Sequence, residues 1–372
     1  LERDILGKYV KSITSPKRFI VGHYLLKELA TYTGTYGDHA YVICDEFILD
    51  RARREAGKSF EEAGHQSEFV KFNYQITQDE IDRHRQAVQK SGANIIVGIG
   101  GGKTLDTAKA TAYYTHLPVA IFPTIASTDA PCTALSVIYN ADGSFDRYLF
   151  LPTNPDIVLA DPNILVSAPT RFFVAGIGDA LATYFEARAC YQKNGDNLVN
   201  LKPSLAGLGI AKMCYDTILE YGLQAKIAVD QNVSTPAVEK TIEATIYLSG
   251  VGAESGGLAA AHAIHNGMTA VPSLHHAQHG EKVVFGLLTQ LVLESAPREE
   301  IETVIRFIKE VGLPLTLKDL GLDEFIEEEW RKVAEDACAE GDTMGNMPHP
   351  VTPEDVYQAI IAANALAEHY YN

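Results

Sequence analysis

Three side chains in this sequence are of the types that hold a divalent metal. Asp179 lies in Gly176-Ile-Gly-Asp-Ala-Leu-Ala, His262 in Gly256-Gly-Leu-Ala-Ala-Ala-His-Ala-Ile-His-Asn, and His279 in His275-His-Ala-Gln-His-Gly-Glu. One carboxylate and two imidazoles can bind such an ion and still leave a position open for substrate. Asp179 falls within a helical pattern, flanked by Ile177, Ala180 and Leu181, so its carboxylate should be buried and in need of a partner. His262 and His265 are three apart on an alanine-rich helix and share a side. Taken singly, each histidine reads as a satisfied core or surface group. The density of His262, His265, His275, His276 and His279 is what points to a metal, and spacing does not choose the ligands among them.

A second feature lies upstream. Gly98-Ile-Gly-Gly-Gly-Lys-Thr-Leu-Asp-Thr-Ala-Lys follows a buried strand and opens a helix. Glycines there let backbone approach a phosphate, and a helix N-terminus offers free N–H groups. The pattern is neither a Walker loop nor the strict Gly-x-Gly-x-x-Gly spacing, and a bare strand-to-helix turn would look similar. A metal with an open position beside a dinucleotide suggests hydride chemistry on an alcohol. Asp45 ends an earlier strand, where it reads either as a helix cap or as a ribose-binding acid. The loop Phe122-Pro-Thr-Ile-Ala-Ser-Thr-Asp-Ala-Pro-Cys-Thr follows the next buried strand. Its Thr124, Ser127, Thr128 and Thr133 are candidates for pyrophosphate or nicotinamide, and Asp129 for gripping a substrate hydroxyl. Self-capping turn chemistry is the alternative.

These groups need a frame. Strand-like and helix-like runs alternate over the first ~160 residues, the pattern of an α/β layer fold. Strands are expected at 39–44, 67–74, 94–98, 118–122 and 157–160, and helices at 47–63, 78–91 and 103–114. Residues 134–139 and 145–151 should form a hairpin at the domain edge, turned by Asp142-Gly143. From about Pro162 helical periods dominate: 171–191, 204–221, 237–252, 257–266, 280–294, 299–311, 323–339 and 353–371. The expectation is therefore an N-terminal α/β dinucleotide-binding domain with a Rossmann-like parallel sheet, residues 1–162. An all-helical domain, residues 163–372, should carry the metal on facing helices.

The chain has 372 residues, 46% of them apolar, enough for two cores. Its net charge of −17 argues against nucleic acid and anionic membranes as partners. No apolar run approaches the ~20 residues of a membrane span. The first residues, Leu1-Glu-Arg-Asp-Ile, show no signal-peptide pattern, although the chain does not begin with Met. Cys44, Cys132, Cys190, Cys214 and Cys338 are scattered, with no Cys-x-x-Cys, and read as reduced thiols of a cytosolic protein.

Five segments carry a resemblance to a known family: residues 98–109, Pro123-Thr-Ile-Ala-Ser-Thr-Asp-Ala-Pro, Gly178-Asp-Ala-Leu-Ala-Thr, Ser255–Gly267 and His279-Gly-Glu-Lys-Val. Through them the chain resembles, over essentially its whole length, the zinc-dependent glycerol dehydrogenases of the iron-containing alcohol dehydrogenase superfamily. The resemblance implies a dehydroquinate synthase-like architecture and NAD-linked oxidation of glycerol and related vicinal diols to dihydroxyacetone. Zinc would serve as Lewis acid, and hydride would pass from C2 to nicotinamide. It implies zinc on Asp179, His262 and His279, which then also bound the substrate. It implies Asp129 on the substrate, Asp45 on the adenosine ribose, and Gly100, Gly101, Gly102, Lys103, Thr104 and Asp106 around the pyrophosphate. Thr124, Ser127, Leu135 and Tyr139 match positions that line the cofactor, with Thr133 of the same loop a candidate beside them. A cytoplasmic homo-oligomer, an octamer, is implied as well. Iron-type members of the superfamily carry a further histidine ligand four residues after the aspartate. Here that position is Thr183, leaving three protein ligands, as suits catalytic zinc. His265 is a candidate proton relay or a support for the ligands. The segment Met347–Val351 has no assignable role.

Rival readings are a dehydroquinate-synthase-like cyclase and a glycerol-1-phosphate dehydrogenase. Both need Lys and Arg near the metal to hold phosphate, whereas the proposed ligands here are surrounded mostly by Ala, Gly and Leu. A non-catalytic NAD-binding oligomer is a third, disfavoured by the intact metal trio.

Overall fold

The computed structural model describes residues 10–371; the N-terminal residues read for a targeting pattern lie outside the described residues. The strands that position the site are β1 (Arg18–Val21), β2 (His39–Cys44), β3 (Gln66–Lys71), β4 (Ile95–Gly100), β5 (Val119–Pro123), β6 (Leu135–Tyr139), β7 (Phe145–Phe150) and β8 (Ile157–Ala160). Six of them form one parallel sheet in the order β1-β8-β5-β4-β2-β3. Every residue of β4 and β5 is buried, which explains their unbroken Ile/Val/Phe runs: helices cover both faces of a parallel sheet. The chain steps from β2 outward to β3, then crosses back to β4 on the other side of β2. The carboxyl ends of β2 and β4 therefore flank a topological switch, the place where open α/β sheets bind ligands.

Helices α1 (Glu46–Glu62), α2 (Gln78–Ser91) and α3 (Gly102–Thr115) connect these strands. Thr77 caps α2 by accepting the Glu80 N–H, with Asp79 and Glu80 in the first turn. The hairpin β6–β7 forms its own antiparallel pair, turned at Gly143, whose φ of 88° suits glycine. Asp142 accepts the Ser144 N–H to close this turn.

The rest of the chain is helical: α4 (Thr170–Lys193), α5 (Leu205–Val229), α6 (Pro236–Ile242), α7 (Ser249–Gly256), α8 (Ala260–Met268), α9 (His279–Leu293), α10 (Arg298–Val311), α11 (Glu327–Ala337) and α12 (Pro353–Tyr371). One buried cluster joins the two parts, running from Tyr41, Ile43 and Ile121 of the sheet to Phe173, Ile177 and Val284 of α4 and α9. Among the described residues no helix is long and apolar enough to cross a membrane.

Several elements differ from expectation for identifiable reasons. The edge strand β1 gave no sequence signal, because its apolar run is only Phe-Ile-Val and is half-exposed. The single helix expected over 237–252 is α6, then a π-helical stretch over Glu243–Leu248, then α7 extending to Gly256. A π turn shifts the apolar period by about one residue over a stretch of only six, too short for the phase change to stand out in the sequence. The helix expected from Gly257 begins at Ala260, since Gly257 adopts φ 94° and breaks the path. The helix from Ser204 runs two turns further than expected, to Val229. The helix expected over 323–339 is confined to α11. The two-residue parallel bridge of Lys11–Ser12 with Lys202–Pro203 was also unread.

Candidate functional site

Asp179 sits midway along α4 and is 2% exposed. Two glycines bring its neighbours in. A Cβ on Gly280 would collide with the Ala175 carbonyl, so only glycine lets α9 approach α4 closely enough to deliver His279. Gly176 stands in the same relation to the Ala126 carbonyl, which draws in the loop carrying Asp129. As a result Asp179 Oδ1 lies 3.1 Å from His279 Nε2 and 3.4 Å from His262 Nε2. Asp179 Oδ2 accepts the Asp129 N–H at 3.4 Å. Candidate ligand atoms of Asp179, His262 and His279 all lie within 4.8 Å of one another.

The tautomers follow from the partners. Glu186 Oε2 is 2.6 Å from His262 Nδ1; an ionised carboxylate only accepts, so Nδ1 carries the proton and Nε2 presents a lone pair. The Asn266 amide nitrogen donates to Asp342, which turns Asn266 Oδ1 toward His265 Nδ1 at 3.2 Å. His265 Nδ1–H therefore donates to Asn266, and His265 Nε2 accepts from His279 Nδ1–H at 3.0 Å. His279 Nε2, like His262 Nε2, faces Asp179 as a lone pair. Three acceptors thus confront one another, an arrangement that a cation between them reconciles. The donor set and its spacing fit a divalent metal.

Without an ion, a proton competes for the same place: burial opposes charge on both groups, but His279 and His262 hold the Asp179 carboxyl well below the usual range, and Glu186 and Asp179 push the His262 imidazole well up. Burial and then the Asp179 charge push the Asp129 carboxyl up. His265 is driven well down by burial, then by His279, Lys282 and His262, and stays neutral. Asp129 Oδ2 accepts from Ser249 Oγ at 3.0 Å, at the residue following the π-helical stretch. Ser249 in turn meets Thr183 Oγ1 at 2.9 Å, so Thr183 is tied into this support rather than aimed at the ligand cluster. His275 and His276 are exposed, and His275 binds the Thr269 carbonyl; neither joins the cluster.

Glu186 escaped the sequence reading. It is fully buried, accepts the N–H groups of Ala259 and His262 at 2.9 Å through Oε1, and orients the His262 ring through Oε2. Its signal was present: an acid seven residues after Asp179, two turns along the same face of an apolar helix.

At the sheet's switch point, Gly101 precedes α3 without any side-chain cap, and a Cβ on Gly102 would meet nothing within 4 Å. Space is thus open beside Gly102, in the first turn of α3. Asp45 stands at the N-cap of α1 but makes no cap hydrogen bond. It reaches across instead: Oδ2 accepts the Gly101 N–H at 2.8 Å and Oδ1 accepts Thr104 Oγ1 at 2.5 Å. Lys103 Nζ donates to Gln75 at 2.5 Å and lies 5.1 Å from the centroid of the Tyr139 ring. Asp106 Oδ2 accepts the Val137 N–H at 2.9 Å, fastening the hairpin to α3, and Oδ1 pairs with Lys109. Lys109 also gathers the carbonyls of Ala130, Thr133 and Leu135, holding the polar loop. Thr133 Oγ1 donates to the Ala130 carbonyl, the self-capping alternative. Thr124 Oγ1 is buried without a partner, and Ser127 and Thr128 are half-buried beside it in sequence.

Comparisons with known proteins accord with this arrangement. The iron-containing alcohol dehydrogenase family matches residues 16–162. A glycerol dehydrogenase of Escherichia coli O6:H1 is 52% identical over 358 residues, covering 96% of this chain and 98% of the relative. A glycerol dehydrogenase of Pseudomonas putida is 49% identical, covering 97% and 99%. The crystal structure of a probable glycerol dehydrogenase from Sinorhizobium meliloti 1021 superposes with a TM-score of 0.91 at 40% identity, covering 97% of this chain and 99% of that one. The chain belongs to the iron-containing alcohol dehydrogenase family and is an oxidoreductase. Within that family its similarity is to the glycerol dehydrogenases.

Proposed function

We propose that the protein oxidises glycerol, and related vicinal diols, with NAD to give dihydroxyacetone, NADH and a proton, using zinc. The observation that carries this reading is the convergence of the Asp179 carboxylate with the lone pairs of His262 and His279, in a chain close to glycerol dehydrogenases. Asp179, His262 and His279 would hold the ion, which supplies Lewis acidity that lowers the pKa of a bound alcohol. NAD supplies the hydride acceptor.

The remaining work falls to the chain. Asp129 positions a substrate hydroxyl beside the cluster, with Ser249 and Thr183 holding its carboxylate in place. His265 has both ring nitrogens engaged, which favours a positioning role for His279 over a proton relay. The first amides of α3, at Gly102, Lys103 and Thr104, would bind a pyrophosphate beside the open space at Gly102. The unpartnered Thr124 hydroxyl offers one further bond to the cofactor. Asp45 shapes the loop from behind; for it to bind ribose as well, it must share oxygens already bonded to Gly101 and Thr104. Asp106 supports the loop from α3. The family resemblance extends the proposal to a cytoplasmic homo-oligomer, an octamer, which light scattering on the purified protein would read directly.

The test is NADH formation from NAD and glycerol at mildly alkaline pH, with protein as purified, after chelation, and after zinc is returned. Loss on chelation with recovery on zinc return is the expected result. No turnover after zinc return would reject the proposal.

A further inference from the structure

We infer that Glu186 is a positioning residue for the metal centre, fixing His262 in the one tautomer and orientation that can ligate. This rests on the reading of Asp179, His262 and His279 as a metal site. A histidine can place either nitrogen toward a metal, and its ring can turn about two side-chain bonds. Both freedoms are removed by one carboxylate. Glu186 Oε2, 2.6 Å from His262 Nδ1, keeps the proton on that nitrogen and leaves the Nε2 lone pair toward Asp179. Glu186 Oε1 accepts the N–H groups of Ala259 and His262 at 2.9 Å each, so the same side chain pins the backbone from which the ring projects. That backbone needs an external acceptor, because α8 begins after Ala259, whose φ and ψ of −148° and −132° are non-helical and whose side chain cannot cap.

The geometry also explains why a glutamate stands two turns from Asp179. Both acids project from α4 toward α8, so ligand and orienter share one rigid helix. Glu186 is fully buried, and all its hydrogen-bond partners lie in 259–262. His279 is oriented by a neutral imidazole, His265, and His262 by an anion. The anion makes the His262 nitrogen the more electron-rich donor. Such outer partners change metal affinity by about 10–100-fold when removed.

The experiment compares wild type, Glu186→Gln and Glu186→Asp by zinc titration against a chromophoric chelator, with melting temperature measured with and without zinc. Glu186→Gln keeps the volume but has one oxygen for three donors. Glu186→Asp keeps the charge but loses reach. The expected result is zinc binding weakened about 10–100-fold in both, with a smaller zinc-induced rise in melting temperature. Equal zinc affinity in the folded variants, with lower stability of the metal-free form alone, would show a purely structural role and overturn the proposal. Glu186→Asp binding like wild type would overturn it too, since charge and not position would then matter. A wild type that binds no zinc rejects the metal reading and this inference together, a result distinct from the other two. One measurement needs no folded variant. Cobalt-loaded wild type should show a hyperfine-shifted imidazole N–H proton protected from exchange in D2O, as a Nδ1–H bonded to a buried carboxylate must be. If every such proton exchanges freely, the proposal fails.

Discussion

The two candidate sites of this molecule are built on opposite electrostatic plans. At the sheet's switch point nearly every polar side chain already has a protein partner: Asp45 with Gly101 and Thr104, Lys103 with Gln75, Asp106 with Val137 and Lys109. The unsatisfied groups there are backbone amides at the start of α3 and the Thr124 hydroxyl. At the ligand cluster the carboxylates of Asp179 and Glu186 on α4, and of Asp129 on the loop after β5, are met among the described residues only by imidazoles, a serine hydroxyl and backbone amides. The first arrangement suits an anion bound through backbone amides. The second gathers carboxylates that, among the described residues, bond to no lysine or arginine. Side-chain changes should therefore be costly in the pocket and milder in the crevice.

The largest effect is expected for Asp179→Asn. Removing the central charge should lower glycerol turnover about 1,000-fold, several kcal/mol of charge stabilisation, while NAD binding persists. Steady-state rates with excess zinc, alongside NAD titration, would show it; comparable loss of both would erase the contrast between the sites. Next is Asp129→Asn, expected to raise KM for glycerol about tenfold and at least as much as it lowers kcat. A pure kcat loss would remove Asp129 from substrate binding.

Asp45→Ala sharpens the contrast from the other side. It strips acceptors from Gly101 and Thr104, a stability cost of about 1–3 kcal/mol, with KM for NAD rising about tenfold. Zinc affinity should stay at the wild-type value, and a drop in it would show the two sites to be coupled. The smallest effect belongs to Glu80 on α2, which binds Asn73, Arg83 and His84. Burial opposes its ionisation, but Arg83 and His84 hold its carboxyl well below the ordinary 4.5. Its stabilisation is thus present above pH 4.5 and lost as pH falls through the folded value. Glu80→Gln should melt about 2–4 °C lower at neutral pH, with the difference shrinking in acid. An unchanged gap between the curves at all pH values would contradict this.

The sequence carried much of the frame because burial imposes period. The runs of β4 and β5 and the helices α4 and α9 were legible for that reason. Edge strand β1 and the π-helical turn before Ser249 were not, since half-exposed backbone and a local change of winding leave no apolar signature. The metal cluster was legible as residue types; spacing did not choose among the histidines, the family resemblance implied His262 and His279, and the structure brings those two to Asp179 while His275 and His276 stay exposed.

Sequence alone thus determined the fold class, the glycine loop and the presence of a carboxylate among crowded histidines, because these depend on local chemistry and spacing. Tertiary structure decided which lone pairs meet, that Glu186 and His265 orient them, and that Asp45 bonds to the glycine loop and Asp106 to the hairpin. Those outcomes depend on contacts between separate elements, 56 positions apart for Asp45 with Gly101 and 100 for Asp179 with His279, and no local pattern encodes them.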